Sequence, residues 1–160
     1  MAGAHEWNER QSNVCETGLG GISMNKTLVV YYSHSGNTKK LAGKIAELTG
    51  ADLLELVPEQ AYPQDYNTVV EQAKREIQTG FYPKLKNKLP ELAQYDVILA
   101  GTPNWWSTMA PPVGSFLKDC NLTRKKVAVF ATHGGGGFGH IERDFKTLCP
   151  GAEVMNGYAA

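Results

Sequence analysis

Two short stretches of this sequence, Val97-Ile98-Leu99-Ala100 and Val127-Ala128-Val129-Phe130, carry no polar side chain at any position. Strands that read this way are covered on both faces, as in a parallel sheet between helical layers. The rest of the chain alternates around them. Strands are expected at 27–32, 52–57, 95–100, 126–131 and 153–158, and helices near 37–49, 66–79, 111–119 and 140–148. Val69, Ala73 and Ile77 share one helical face, as do Val113, Phe116 and Leu117, and Ile141, Phe145 and Leu148. Gly50 and Gly80 stand where helices are expected to end. Alternation of this kind predicts an α/β fold built on a doubly wound sheet.

The 160 residues suit one domain with a sizeable core, here placed at 25–160. Residues 1–24 are polar and glycine-rich and are expected to form a poorly ordered extension. Met24 stands directly before the first strand, a position suited to the start of the domain. Sixteen basic side chains balance sixteen acidic ones, so charge gives no case for nucleic acid or an anionic membrane. No apolar run approaches the roughly 18 residues of a membrane span. Cys15, Cys120 and Cys149 are scattered and odd in number, with no Cys-x-x-Cys pair. A reducing cytoplasm is the compartment this implies.

Ligands of parallel sheets lie at the carboxyl ends of the strands. Three unusual segments leave such ends here. The first, Ser33-His34-Ser35-Gly36-Asn37-Thr38, runs from the first strand into a helix. Backbone N–H groups and small hydroxyls at a helix start attract a phosphate. The loop has no Lys or Arg and lacks the Gly-Lys-Ser/Thr ending of a nucleotide-hydrolysing loop. It suits a retained ligand held by neutral donors, or an ordinary turn capped by Asn37 or Thr38. His34 faces either solvent or a ligand phosphate.

The second segment, Gly101 to Pro112, carries Thr102, Pro103, Asn104, Trp105 and Trp106 in a proline-bounded loop. Adjacent indoles there either stack on a flat ring or divide between core and surface. The third, Thr132-His133-Gly134-Gly135-Gly136-Gly137-Phe138-Gly139-His140, contains Gly-x-Gly-x-x-Gly. It comes too late in the chain for a dinucleotide fingerprint, and Glu153 follows too soon. A backbone that approaches the polar edge of a planar ligand fits better. Together the segments describe a phosphate at one end and a flat aromatic body at the other.

Residues 26–158 resemble a flavodoxin or flavodoxin-like FMN-binding domain. The likeness lies in Leu-Val-Val-Tyr-Tyr-Ser-His-Ser-Gly-Asn-Thr at 28–38, Tyr-Pro-Gln-Asp-Tyr at 62–66, Pro-Asn-Trp-Trp-Ser-Thr-Met at 103–109 and Thr-His-Gly-Gly-Gly-Gly-Phe-Gly at 132–139. The resemblance implies a five-stranded parallel sheet in the known order 2-1-3-4-5 and FMN held without a covalent link. It gives Ser33, Ser35, Gly36, Asn37 and Thr38 to the phosphate. It gives Thr102, Asn104, Trp105 and Trp106, with Pro103 between the first two, to the ribityl chain and ring. His133, Gly134, Gly135 and Phe138 fall to the ring's far edge, where His133 either polarises the ring or supports the backbone.

The implied role is electron transfer through FMN, to redox partner proteins or to a small acceptor, with no protein nucleophile, catalytic residue or metal required. An NAD(P)H-dependent enzyme acting on quinones or similar acceptors is the alternative, and a flavin-free binding module a third. Stacking without nearby cations is expected to lower the flavin potential.

Three departures from the family pattern stand out. Many flavodoxins are strongly acidic, whereas residues 24–160 carry 15 basic and 13 acidic side chains. Many place a glycine in the Trp-bearing segment, whose peptide flips toward the semiquinone; here Ser107 occupies that position and no glycine lies between Gly101 and Gly114. Finally, right-handed crossovers in this strand order put the first helix on one face and the next three on the other. A fifth helix would then cover strands three to five. The sequence ends at Tyr158-Ala159-Ala160, so the expectation is a chain that is truncated or covers that face with a partner, such as a second copy.

Overall fold

The computed structural model describes residues 26–160, and the expected extension at 1–24 lies outside the described residues. The elements run β1 (Thr27–Tyr31), α1 (Asn37–Thr49), β2 (Asp52–Glu55), α2 (Tyr66–Thr79), a 3₁₀ turn (Leu92–Gln94), β3 (Val97–Trp105), β4 (Thr108–Met109), α3 (Pro111–Asp119), β5 (Lys126–Thr132), α4 (Ile141–Leu148), β6 (Glu153–Val154) and β7 (Tyr158–Ala159). The central sheet has the order β2-β1-β3-β5-β6, all parallel, with β7 also alongside β5. This is the expected 2-1-3-4-5 sheet, its edge strand broken into β6 and β7.

The break is a bulge. Val127 faces Val154 and Phe130 faces Tyr158, so three edge residues, 155–157, lie opposite two on β5. Met155 N–H still donates to Val127 O at 2.8 Å. Gly157 N–H leaves the ladder and donates instead to Glu142 Oε1 of α4 at 3.0 Å.

Successive side chains of a strand point to opposite faces, and each central strand feeds two cores. Leu28 and Val30, Ile98 and Ala100, and Val127 and Val129 pack against Val69 of α2, Phe116 and Leu117 of α3, and Ile141 and Phe145 of α4. Burying each such large side chain stabilises by about 1.5–3 kcal/mol. On the other face Val29, Tyr31 and Phe130 sit under Ala42, Leu41 and Ile45 of α1. Among the described residues α1 is the one helix on that face. Tyr158, beside Phe130 in register, is 62% exposed there. The last element described is β7.

Cys120, just past α3, is a free thiol. Burial first, and the Asp119 charge second, push its pKa up to about 11. A thiol so placed carries little thiolate at neutral pH and is a poor nucleophile. Among the described residues no helix is long and apolar enough to cross a membrane.

Candidate cofactor site

The starts of α1 and α2 are built differently. At α2, Asp65 caps the helix: its Oδ2 accepts from Thr68 N–H at 2.9 Å and from Thr68 Oγ1 at 2.7 Å. Those bonds hold the Asp65 carboxyl below its ordinary 3.8. At α1 the cap is Gly36, in the left-handed region at φ 96°, with no side-chain cap and no acid in the first turn. The first N–H groups of α1 have no side chain of this kind to bond and remain free for an anion. Neither Asn37 nor Thr38 caps the helix. Thr38 is buried and its hydroxyl bonds that of Thr132 at 2.8 Å, tying α1 to the end of β5. Gly36 N–H donates to Ser33 Oγ at 3.1 Å, folding the loop on itself. His34 turns its Nε2 to Pro63 O at 2.9 Å.

The second segment is not a loop throughout. β3 continues to Trp105, pairing with β5 as far as Pro103, and then turns back through β4. The turn residues Trp106 and Ser107 both have positive φ, 54° and 66°. That is the backbone of a tight two-residue hairpin, where Asn-Gly is the usual choice. Tertiary bonds hold it. Ser107 O accepts from His140 N–H at 2.6 Å, and Asn104 Nδ2 donates to Gly137 O at 2.6 Å. The hairpin and the glycine segment are thereby latched together. Gly139 sits at the latch: a Cβ there would lie 2.6 Å from Ser107 O, at a φ of 56°.

The two indoles part company. Trp105 turns inward, edge-on to Tyr62 at 5.1 Å, Tyr32 at 5.6 Å and His34 at 5.9 Å. Burial, followed by the charge of Glu76, raises the pKa of Tyr32. For Tyr62 the order is burial and then its hydrogen bond to Glu76. Both phenols stay protonated. Trp106 turns outward, 49% exposed, and its Nε1–H donates to Val70 O of α2 at 3.0 Å. The Lys74 ammonium stands 5.2 Å from the centre of its ring.

All three segments open on one cavity of about 1210 Å³. Of the fifteen residues expected from sequence, nine line it: His34, Ser35, Asn37, Pro103, Asn104, Trp105, Trp106, His133 and Gly134. The other six do not line it. Ser33, Gly36 and Thr38 shape the first loop as described. Thr102 is fully buried, and its hydroxyl accepts from Ala110 N–H at 2.9 Å and donates to Pro103 O at 2.8 Å. Gly135 N–H donates to His133 Nδ1 at 2.9 Å, so His133 supports its own loop. Phe138 packs into the larger core.

Sequence reasoning missed one whole wall. Gln64, Tyr66, Val69, Val70 and Ala73, from α2 and the turn before it, also line the cavity. It missed Lys40 as well, one turn into α1 and the single lysine among the lining residues. Among the described residues no acidic side chain borders the cavity. An anionic group at the start of α1 and a flat apolar body beside Trp105, Trp106 and Pro103 fit this lining. FMN presents both.

The fold and cavity define a flavodoxin-type α/β protein with a mononucleotide-sized site. A flavodoxin family model matches residues 26–159, and the chain belongs to that family. FMN is the cofactor that assignment carries. Among solved structures, a flavoprotein from Lactobacillus acidophilus in complex with FMN is 31% identical, covers 85% of this chain and 93% of its own, and superposes with a TM-score of 0.75. A protein from Bacteroides eggerthii described as a flavoprotein is 29% identical over 85% of this chain and 88% of its own, with a TM-score of 0.79. A flavodoxin from the domain Archaea shares the fold at 21% identity over 84% of this chain and 83% of its own, with a TM-score of 0.53.

Proposed function

We propose that this protein binds FMN without a covalent link and transfers electrons through it. The observation that carries the reading is the uncapped start of α1 opening on the same cavity as the indoles of the β3–β4 hairpin. The first-turn N–H groups of α1, with Ser35, Asn37 and Lys40, hold the phosphate. Asn104, Pro103, Trp105 and Trp106 border the ribityl chain and ring, and the His133–Gly134 backbone closes the far edge. Bound FMN supplies the redox chemistry; the chain binds it, orients it and excludes water from its ring. Supporting the cytoplasm as its compartment, Cys120 and Cys149 are free thiols.

Two kinds of electron exchange fit this reading. One is a carrier between partner proteins. The other is an NAD(P)H-dependent oxidoreductase for small acceptors, favoured by the apolar α2 wall of the cavity. Anaerobic mixing of FMN-loaded protein with NADPH separates them. The carrier leaves the flavin yellow until a flavin reductase is added, whereas the enzyme bleaches it unaided. A loaded flavin that accepts electrons from neither contradicts the redox function.

A further inference from the structure

The wall that carries Trp105 is backed by a carboxylate that does not line the cofactor cavity. Glu76 of α2 accepts at Oε1 from the Tyr62 hydroxyl at 2.5 Å and at Oε2 from Gln72 Nε2 at 2.9 Å. Tyr62 is buried, and its ring stands edge-on to Trp105 at 5.1 Å and to Tyr32 at 5.8 Å. A relay therefore runs from the α2 carboxylate, through one phenol, to the indole that borders the cavity. Glu76 itself is half-buried and lines a separate cavity of about 230 Å³ between α2, β4, α3 and α4. Among the described residues it has no ion-pair partner. Its charge reaches Tyr32, where it adds to burial in raising the phenol pKa. Glu55 acts there more weakly and is itself paired with Lys39 at 4.0 Å.

We propose that Glu76 is a positioning residue for the bound flavin and sets its potential through Tyr62. The inference rests on the FMN reading above. The hydrogen bond to Glu76 fixes where the Tyr62 ring stands, and that ring fixes the packing of Trp105. No bond forms or breaks at Glu76. Its negative charge, held in a partly apolar wall and not in bulk water, opposes the negative charge that a flavin ring gathers on reduction. Oxidised FMN is thereby favoured over reduced. Lys40, on the cavity lining, and Lys74, over Trp106, act in the opposite sense from the other side of the indole pair. A unit charge roughly 10 Å from the ring, at an effective dielectric of about 20, changes the ratio of affinities for the two forms by about ten-fold.

The test compares dissociation constants of oxidised and of dithionite-reduced FMN for the full chain and three variants. Glu76→Gln keeps an oxygen for the Tyr62 hydroxyl and removes the charge. Its expected result is reduced FMN bound about ten-fold more tightly and oxidised FMN nearly unchanged, a rise of about 30 mV for the two-electron couple. Glu76→Asp keeps the charge and retains the parental ratio. Tyr62→Phe keeps the charge and loses the bond, so both forms weaken together by about three-fold and their ratio stays. A parental ratio in Glu76→Gln, or the same change of ratio in Tyr62→Phe, overturns the role of the charge. Parental affinities in Tyr62→Phe overturn the positioning. Either failure leaves the FMN reading standing, whereas a parent chain that binds neither form takes down both.

Discussion

Trp105→Ala is expected to cost about 3 kcal/mol of folding stability, the low end for removing a large aromatic because Trp105 is only half-buried. Its ring fills the space among Tyr62, Tyr32 and His34, so deletion leaves three partners facing a void. The same ring borders the cofactor cavity, and FMN affinity falls with it. Urea denaturation of the apoprotein measures the first effect and FMN titration the second. Trp105→Phe keeps an aromatic edge and recovers most of the stability. Trp106→Ala separates the roles: its exposed ring contributes little to the fold, so stability stays within about 0.5 kcal/mol. A Trp105→Ala protein as stable as the parent contradicts this account of the site's floor.

Gly139→Ala is the second large effect. The new methyl has no room beside the Ser107 carbonyl, and its backbone is left-handed. Overpacking of about 1–3 kcal/mol and a left-handed penalty of about 1–2 kcal/mol fall on one residue. The hairpin and glycine segment must separate, breaking the bond from His140 N–H to Ser107 O. Affinity for FMN and for riboflavin is expected to drop together, ten-fold or more, because the ring end is lost and the phosphate end is not. Gly43→Ala is the control. Gly43 lies inside α1 with nothing near its missing Cβ. Alanine there stabilises by about 0.5–1 kcal/mol. FMN affinity at that position stays unchanged. Equal affinities for Gly139→Ala and the parent would contradict the latch.

Most of the sheet was legible because local and global signals agree. The apolar runs at 97–100 and 127–130 became central parallel strands. Gly50 and Gly80 became left-handed helix ends, at φ 69° each. The hairpin was not legible, since Trp106-Ser107 carries no turn signature. Its shape is imposed by His140 and Val70, which lie 33 and 36 residues away in sequence. The bulge in the edge strand was hidden for a similar reason, because Gly157 is claimed by Glu142 of α4.

For the site, sequence located the three segments but not the direction of each side chain. Thr38 and Thr102 read as ligand hydroxyls, and the fold turns both to structural bonds. Lys40 and the α2 strip read as ordinary helical residues, and only packing brings them to the cavity.

The central claim is that the uncapped start of α1 and the aromatic hairpin hold the two ends of FMN. Parallel titrations of the full chain with FMN and riboflavin, followed by tryptophan emission and by calorimetry, test it most directly. The account predicts one FMN per chain, quenched emission, and riboflavin binding at least about ten-fold weaker, a difference of about 1.4 kcal/mol for the phosphate. Unchanged emission with FMN, or equal affinity for the two flavins, would contradict it.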